Sequence, residues 1–490
     1  MIEEFSRRVL SIRDRWIALF LFILAFSIRF EFRSAGLLHF DSVEYAILGG
    51  QTFKMLSLQY AHFPGHPGVI LINAAFYGFL QLFGFDSEFT TIIVSVLFGA
   101  MAPPIIYYIC IRLKLPRIYA LYAGLIMIFF PLHWSLSEYI PTDVESLFFL
   151  LAALYFSLIT GKRSMYLSAF LFMFSIAIKL ENIFLLPFYI SIYIINLFQS
   201  IKEKPKRITI AATVSIILLI QVTGLFFLYF PYFTGKLEVG DSIKVIFPQI
   251  EMLRFQLWNT FILMLNSFSL PGVILIILGI AALSIGRKYL EFSTYTRNIL
   301  ALILGLALLN ILFSASIPLR DIDRYVLTGF SLLILFIPCG LMILGKIDKR
   351  IPPVILVILV LYMVYFTIPI ISGRHNWAGQ KEFAIKLKGL TGENAAIVAL
   401  DEGIHINYYT NLTIIQPNIN IVENMLKQNK SVYMISTIIT YENGRDFIAE
   451  GRKQFDFKES GTFPNEDWHG RALNRYIFME TIYRISDKRD

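Results

Sequence analysis

Val69-Ile70-Leu71-Ile72-Asn73-Ala74-Ala75-Phe76-Tyr77-Gly78-Phe79-Leu80-Gln81-Leu82-Phe83 is apolar enough to be taken for a membrane span, and its reading decides the fold. Eleven other apolar runs are long enough to cross a hydrocarbon core of ~30 Å. They lie near 16–32, 88–111, 117–136, 143–160, 164–178, 183–198, 208–230, 268–285, 298–317, 325–344 and 353–371. Basic residues cluster between them: Arg7, Arg8, Arg13 and Arg15; Arg112, Lys114 and Arg117; Lys162 and Arg163; Lys202, Lys204, Lys206 and Arg207; Arg287, Lys288 and Arg297; Lys346, Lys349 and Arg350. With eleven spans every cluster falls on one side, the cytoplasmic side by the excess of Lys and Arg there. Counting 69–83 as a twelfth span sends the last five clusters to the other side. The run is therefore expected to be an external juxtamembrane or re-entrant helix, covered in part by protein.

Composition agrees with a polytopic α-helical membrane protein. Hydrophobic residues make up 56% of the 490-residue chain and charged residues 16%, a balance far from that of soluble domains. The formal charge of +8 follows from the basic loops, so nucleic acid is not an expected partner; membrane lipid is. The first apolar run, Ile17 to Ile28, has Arg on both flanks and no small-residue cleavage site after it, so it reads as a retained anchor with a cytoplasmic N-terminus. Cys110 and Cys339 suggest neither a disulfide framework nor a thiolate metal site.

Past Ile371 the pattern changes. Short apolar runs at Ala395–Leu400, Thr413–Ile415, Ser431–Ile435 and Arg475–Ile482 alternate with helix-like stretches at Ile419–Lys427 and Arg445–Phe455. This predicts a small α/β domain over 373–490, after a membrane domain over 1–372. Loop parity places it outside the cytoplasm.

On this topology the polar residues of the external face converge. The first external loop, 33–87, holds His39-Phe40-Asp41-Ser42-Val43-Glu44-Tyr45, His62 and His66; the next holds Glu138, Asp143 and Glu145; the third, Lys179, Glu181 and Asn182; the fifth, Arg320, Asp321, Asp323, Arg324 and Tyr325. Ionisable groups at the membrane boundary are functional candidates. Carboxylates deprotonate hydroxyls or hold hard cations, and Arg and Lys hold phosphate. Each piece also has a plainer reading. Asp41 is equally a solvated loop carboxylate, Arg320 and Arg324 are equally interfacial anchors, and Asp143 and Glu145, two apart, do not share a helix face. Asp401, Glu402 and His405 read as a solvated helix start.

The order of these motifs resembles the GT-C superfamily of integral-membrane glycosyltransferases, above all the branch of protein O-mannosyltransferases and aminoarabinose transferases. The matching stretches are Phe40-Asp41-Ser42-Val43-Glu44-Tyr45-Ala46, Pro64-Gly65-His66-Pro67, Leu82-Phe83-Gly84, Pro141-Thr142-Asp143, Ala177-Ile178-Lys179 and Arg324-Tyr325. The resemblance implies a GT-C-like catalytic domain in the cell membrane and an inverting transfer at its external face. The sugar would pass from a polyprenyl or dolichyl monophosphate to a hydroxyl of a protein, lipid or glycan, with no nucleotide cofactor. It implies Asp41 as base, and a substrate- and phosphate-binding set of Tyr45, His66, Lys179, Arg320, Arg324 and Tyr325. It implies Asp143 and Glu145 as holders of a divalent cation, Mg2+ or Mn2+. Many relatives have Asp-Glu where this chain has Asp41-Ser42, one carboxylate fewer. A flippase or transporter of lipid-linked sugars is the alternative of another class. An oligosaccharyltransferase fits less well, because the C-terminal part holds isolated Trp377 and Trp468 and not a Trp-Trp-Asp signature.

Overall fold

The computed structural model describes residues 13–61, 65–138, 141–159, 161–200, 207–233, 250–289, 292–316, 322–400, 402–466, 473 and 476–488. Each expected apolar run is helical. The chain runs through α1 (Asp14–Glu31), α2 (Phe40–Met55), α3 (Pro67–Leu80), α4 (Ser87–Arg112), α5 (Arg117–Phe129), α6 (Pro131–Leu136), α7 (Pro141–Ser157) and α8 (Lys162–Ile178). It continues through α9 (Leu186–Ser200), α10 (Arg207–Phe233), α11 (Ile250–Tyr289), α12 (Thr294–Ser316), α13 (Ile322–Leu333), α14 (Ile337–Ile347) and α15 (Ile351–Asn376). Among the described residues six stretches are long and apolar enough by themselves to cross a membrane: Ser87–Arg112, Thr213–Phe230, Gln256–Ser284, Thr294–Ser316, Asp323–Ile347 and Ile351–Thr391.

Three runs differ from the straight spans that were expected, each for a local reason. The 117–136 run breaks at Phe130, whose ψ of 113° leaves the helical region, because Pro131 disfavours helix in the residue before it. The helix over 250–289 begins well before residue 268 and kinks at Ser269 (φ 62°), with Pro271 just beyond. The 325–344 run passes through a single 3-10 turn, Ile334–Phe336, ahead of Pro338. The 69–83 run forms α3 and a 3-10 turn, Gln81–Phe83. Its buried side packs with Tyr45, Phe98 and Ile178, while Phe79, Leu82 and Phe83 are exposed, as a half-covered helix requires.

A second set of helices closes the C-terminal part: α16 (Gly379–Thr391), α17 (Gly403–Thr410), α18 (Ile419–Lys427) and α19 (Glu442–Gly451). They cover a sheet of β1 (Ala396–Val398), β2 (Thr413–Ile415), β3 (Val432–Ile435), β4 (Phe455–Glu466) and β5 (Ile477–Asp487). The order is β2-β1-β3-β5-β4, parallel across β2-β1-β3 and antiparallel across β3-β5-β4. Alternation along the strands sends Ile397, Tyr433, Ile435 and Ile482 into one core with Phe383 and Leu387. It sends Ala396, Val398, Val432, Met434 and Ile485 into the other with Val422 and Phe447. The expected helix Arg445–Phe455 stops at Gly451, and β4 was not expected, because charged residues on its exposed side mask a strand period.

The first and last spans are tied together through residues 131–138. Arg29, fully buried near the end of α1, donates from Nε to Ser137 Oγ (2.9 Å) and from Nη2 to the Ile128 carbonyl (3.0 Å), and faces His133 Nδ1 at 3.0 Å. Arg374 at the end of α15 donates to Ser135 Oγ at 2.6 Å. Glu138 is buried beside both and interacts electrostatically with each. A cation in such a place is stable only while every donor is used. Arg29→Met is expected to destabilise the protein by about 3–5 kcal/mol, read as a lowered thermal midpoint of the detergent-solubilised chain; a midpoint equal to wild type would refute this clamp.

Candidate functional site

Three helix starts and one helix end meet at one place, and each contributes a charge. Asp41 stands in the first turn of α2, Asp143 in the first turn of α7 and Arg324 in the first turn of α13, while Lys179 caps the end of α8. Carboxylates suit a helix start and a cation suits a helix end. Arg324 is the exception, and it lies where the two carboxylates offset the unfavourable dipole. Its Nε donates to Asp143 Oδ2 at 2.9 Å and its Nη2 to Asp41 Oδ2 at 2.7 Å, while Nη1 lies 3.0 Å from His39 Nε2. Lys179 Nζ donates to the other Asp143 oxygen at 2.6 Å and to the Arg324 carbonyl at 3.3 Å, and stands 4.4 Å over the Tyr325 ring. The Asp143 side chain is sealed, at 0% exposure, whereas Arg324, Asp41 and Lys179 keep 11–12%, so these three stay in reach of solvent.

The other expected site residues take supporting places. Tyr45, one helical turn beyond Asp41, is fully buried, and its ring meets that of His66 edge to face at 5.6 Å. Burial first, then the charges of Asp41 and Glu44, push its phenol well above the ordinary value, so it stays protonated. His66 adopts a left-handed backbone (φ 42°) ahead of Pro67, and its Nδ1 lies 2.8 Å from the carbonyl of Ile178, the residue before Lys179. The close approach here requires Gly68, since a Cβ would lie 2.8 Å from the Ile178 nitrogen. Both residues thus hold the seats of Asp41 and Lys179. Arg320, Asp321 and His62 lie outside the described residues.

The residues expected to hold a metal do not come as a ligand set. Each Asp143 oxygen is taken by a cation. Glu145, two residues on in the same helix, is fully buried, and its oxygens have no hydrogen-bond partner among the described residues. Among those residues no group of three or more His, Cys, Asp or Glu is arranged for a metal ion. Glu138, grouped with Asp143 by sequence, belongs to the Arg29 and Arg374 cluster. His39 is the member whose part was not read from sequence: only its position one turn-start before Asp41 hinted at it.

No protein-family model matches the chain, and no curated protein matches it by sequence. Its likeness is to solved structures. Apo ArnT from Cupriavidus metallidurans, an aminoarabinose transferase, matches with a TM-score of 0.63 at 12% identity, over 96% of this chain and 97% of that one. The form of ArnT bound to undecaprenyl phosphate gives 0.61 over 96% and 98%. The Archaeoglobus fulgidus oligosaccharyltransferase tethered with an acceptor peptide gives 0.51 at 11% identity, over 86% of this chain and 69% of that one. The arabinofuranosyltransferase AftD from Mycobacteria gives 0.53 at 13%, over 97% and 40%. These are GT-C superfamily membrane glycosyltransferases, and the chain has their fold.

The sheet domain is seated on the loop that carries Asp41. The Leu37 amide donates to the Tyr409 hydroxyl (2.8 Å), Ser87 Oγ lies 3.1 Å from the Tyr408 hydroxyl, and Lys381 pairs with Glu88 at 2.8 Å. Ile404 and Tyr408 of α17 pack on Leu37, Val43, Ala46 and Ile92. The expected solvated start of α17 is therefore buried: Glu402 and His405 are 4% and 3% exposed, because this helix end faces the first loop. Burial first, then the nearby His39, pulls the His405 imidazole down to about 3. A lowered histidine favours its neutral form, so its stabilisation is complete above the unfolded value near 6.5 and is lost as pH falls toward 3. Between pH 7 and pH 5 the docked domain is expected to lose roughly 2 kcal/mol through this residue. Thermal melts of wild type and His405→Leu across that range check it, and equal pH dependence in the two would refute it.

Proposed function

We propose that the chain is an inverting glycosyltransferase that moves a sugar from a polyprenyl or dolichyl monophosphate to an acceptor hydroxyl at the extracytoplasmic face of a cell membrane. The observation that carries this reading is the sharing of Arg324 between Asp41 and Asp143 beside Lys179. A carboxylate fit to take a proton and two cations fit to hold a phosphate stand in one cluster. The match to ArnT bound to undecaprenyl phosphate supports a lipid monophosphate as the donor class. Acceptors open to it are a protein, a lipid or a growing glycan.

In this reaction Asp41 takes the acceptor's hydroxyl proton as its oxygen bonds to the anomeric carbon. The bond from that carbon to the phosphate oxygen breaks, and its electron pair leaves with the polyprenyl phosphate. A base in hydrogen-bond reach contributes ~10²–10⁴-fold. The charge that builds on the leaving phosphate falls to Lys179 and Arg324, aided by three helix starts, which favour anions. Arg324 engages Asp41 Oδ2. A phosphate arriving at the guanidinium competes for that donor and turns the carboxylate toward the acceptor.

Asp41→Asn is expected to lower transfer ~10²–10⁴-fold and to bind undecaprenyl phosphate at least as tightly as wild type, since the neutral amide no longer competes for Arg324. Turnover near wild type in that variant sinks the base assignment. With Lys179 and Arg324 as counter-charge, EDTA is expected to leave the transfer rate unchanged. A rate lost to EDTA and restored by Mg2+ or Mn2+ would instead give the carboxylates a metal.

A further inference from the structure

Resting on that reading, we propose that His39 is a positioning residue that fixes the Arg324 guanidinium in its phosphate-holding orientation. The imidazole stands between the two groups that matter. Its Nε2 lies 3.0 Å from Arg324 Nη1, while its Nδ1 lies 3.1 Å from the Asp41 amide nitrogen and 3.5 Å from Asp41 Oδ2. Arginine only donates, and so does a backbone amide, so both ring nitrogens face donors. A neutral imidazole accepts at one nitrogen only. The charge-assisted bond from Arg324 is the stronger of the two, so Nε2 accepts and the ring proton resides on Nδ1. That tautomer turns the Nδ1 proton toward Asp41 Oδ2, in competition with the N-cap bond that the Asp41 amide is placed to donate to the same nitrogen.

The choice separates two roles that are otherwise confounded. As an N-cap His39 serves α2 through Nδ1; as a positioning residue it serves Arg324 through Nε2. The guanidinium is then held at three points by three side chains: Nε by Asp143, Nη2 by Asp41 and Nη1 by His39. When an incoming phosphate draws Nη2 from Asp41, His39 and Asp143 still fix the plane of the fork. Bidentate recognition of a phosphate requires that plane to be set in advance. Without His39 the fork is held by Asp143 alone and turns about its Nε bond.

The two amide substitutions mimic the two ring nitrogens. His39→Gln carries its carbonyl oxygen to the place of Nε2 and keeps an acceptor for Arg324. His39→Asn carries it to the place of Nδ1 and is a good N-cap, but does not reach Arg324. The experiment is titration of the purified full chain with undecaprenyl phosphate and with dolichyl phosphate, alongside thermal melts of each variant. The expected result is that His39→Gln binds within a few-fold of wild type, while His39→Asn loses roughly 10- to 100-fold with an unchanged melting midpoint. Binding retained by His39→Asn and lost by His39→Gln, or equal in all three proteins, overturns the positioning role and leaves the proposed reaction standing. Failure of the wild type to bind either lipid phosphate overturns the reaction and this inference together.

Discussion

A guanidinium at 11% exposure is the interaction on which the rest of this structure depends. Arg324 stands at a helix start, where the macrodipole repels it, and largely out of water, where an unpaired charge is costly. Only acceptors brought by other helices make the position tenable. Asp41 comes from 283 residues away and Asp143 from 181, so the starts of α2, α7 and α13 are drawn to one point. Lys179 then completes a set of two cations and two carboxylates. The approach of a phosphate changes the partners within that set.

Arg29 and Arg374 are buried as well, and the contrast explains why only one cluster reads as a site. Arg29 is fully enclosed and spends its donors on two carbonyls, a hydroxyl and an imidazole. Nothing there exchanges, and the gain is a fixed distance between the first and last spans. Arg324, Asp41 and Lys179 stay in reach of solvent. Tyr45 and His66 carry the seats of Asp41 and Lys179, and α17 of the sheet domain backs α2 from the other side. The sheet domain is therefore part of what holds Asp41, and removing 373–490 would disturb the base as well as any choice of acceptor.

Apolar length and strand alternation were legible because they are local: each expected span is helical, and the strands at 396–398, 413–415, 432–435 and 477–487 fall within or across the runs that announced them. The ordered motifs also brought Asp41, Asp143, Lys179 and Arg324 into one set before any contact was known. What sequence could not supply were partners. Tyr45 and His66 are polar residues in a polar loop, and only the burial of Tyr45 and the contact of His66 with the Ile178 carbonyl tell a support from a ligand. Glu138 and Asp143 are five residues apart yet belong to different clusters, because the helix start at Pro141 turns the second away from the first. The contact of His39 with Arg324 spans 285 residues, and no local pattern encodes it. Glu402 and His405 looked solvated because the surface that covers them comes from the first loop.

The placement of Arg324 between base and phosphate has a consequence for the proposed reaction. Before transfer the negative charge is divided between Asp41 and a phosphodiester; afterwards Asp41 holds a proton and the lipid phosphate is a monoester with one charge more. The reaction thus moves one unit of negative charge from one side of Arg324 to the other. A counter-ion bonded to both ends needs little reorganisation as that charge passes, which is the condition under which fixed electrostatics lower a barrier most. A cation serving the phosphate alone would instead hold the leaving group and would have no reason to contact Asp41. The 2.7 Å bond between Arg324 and Asp41 is the feature that favours the first arrangement. His39 then has a physical reason to stand where it does, because a fork that exchanges partners on one nitrogen must be held on another.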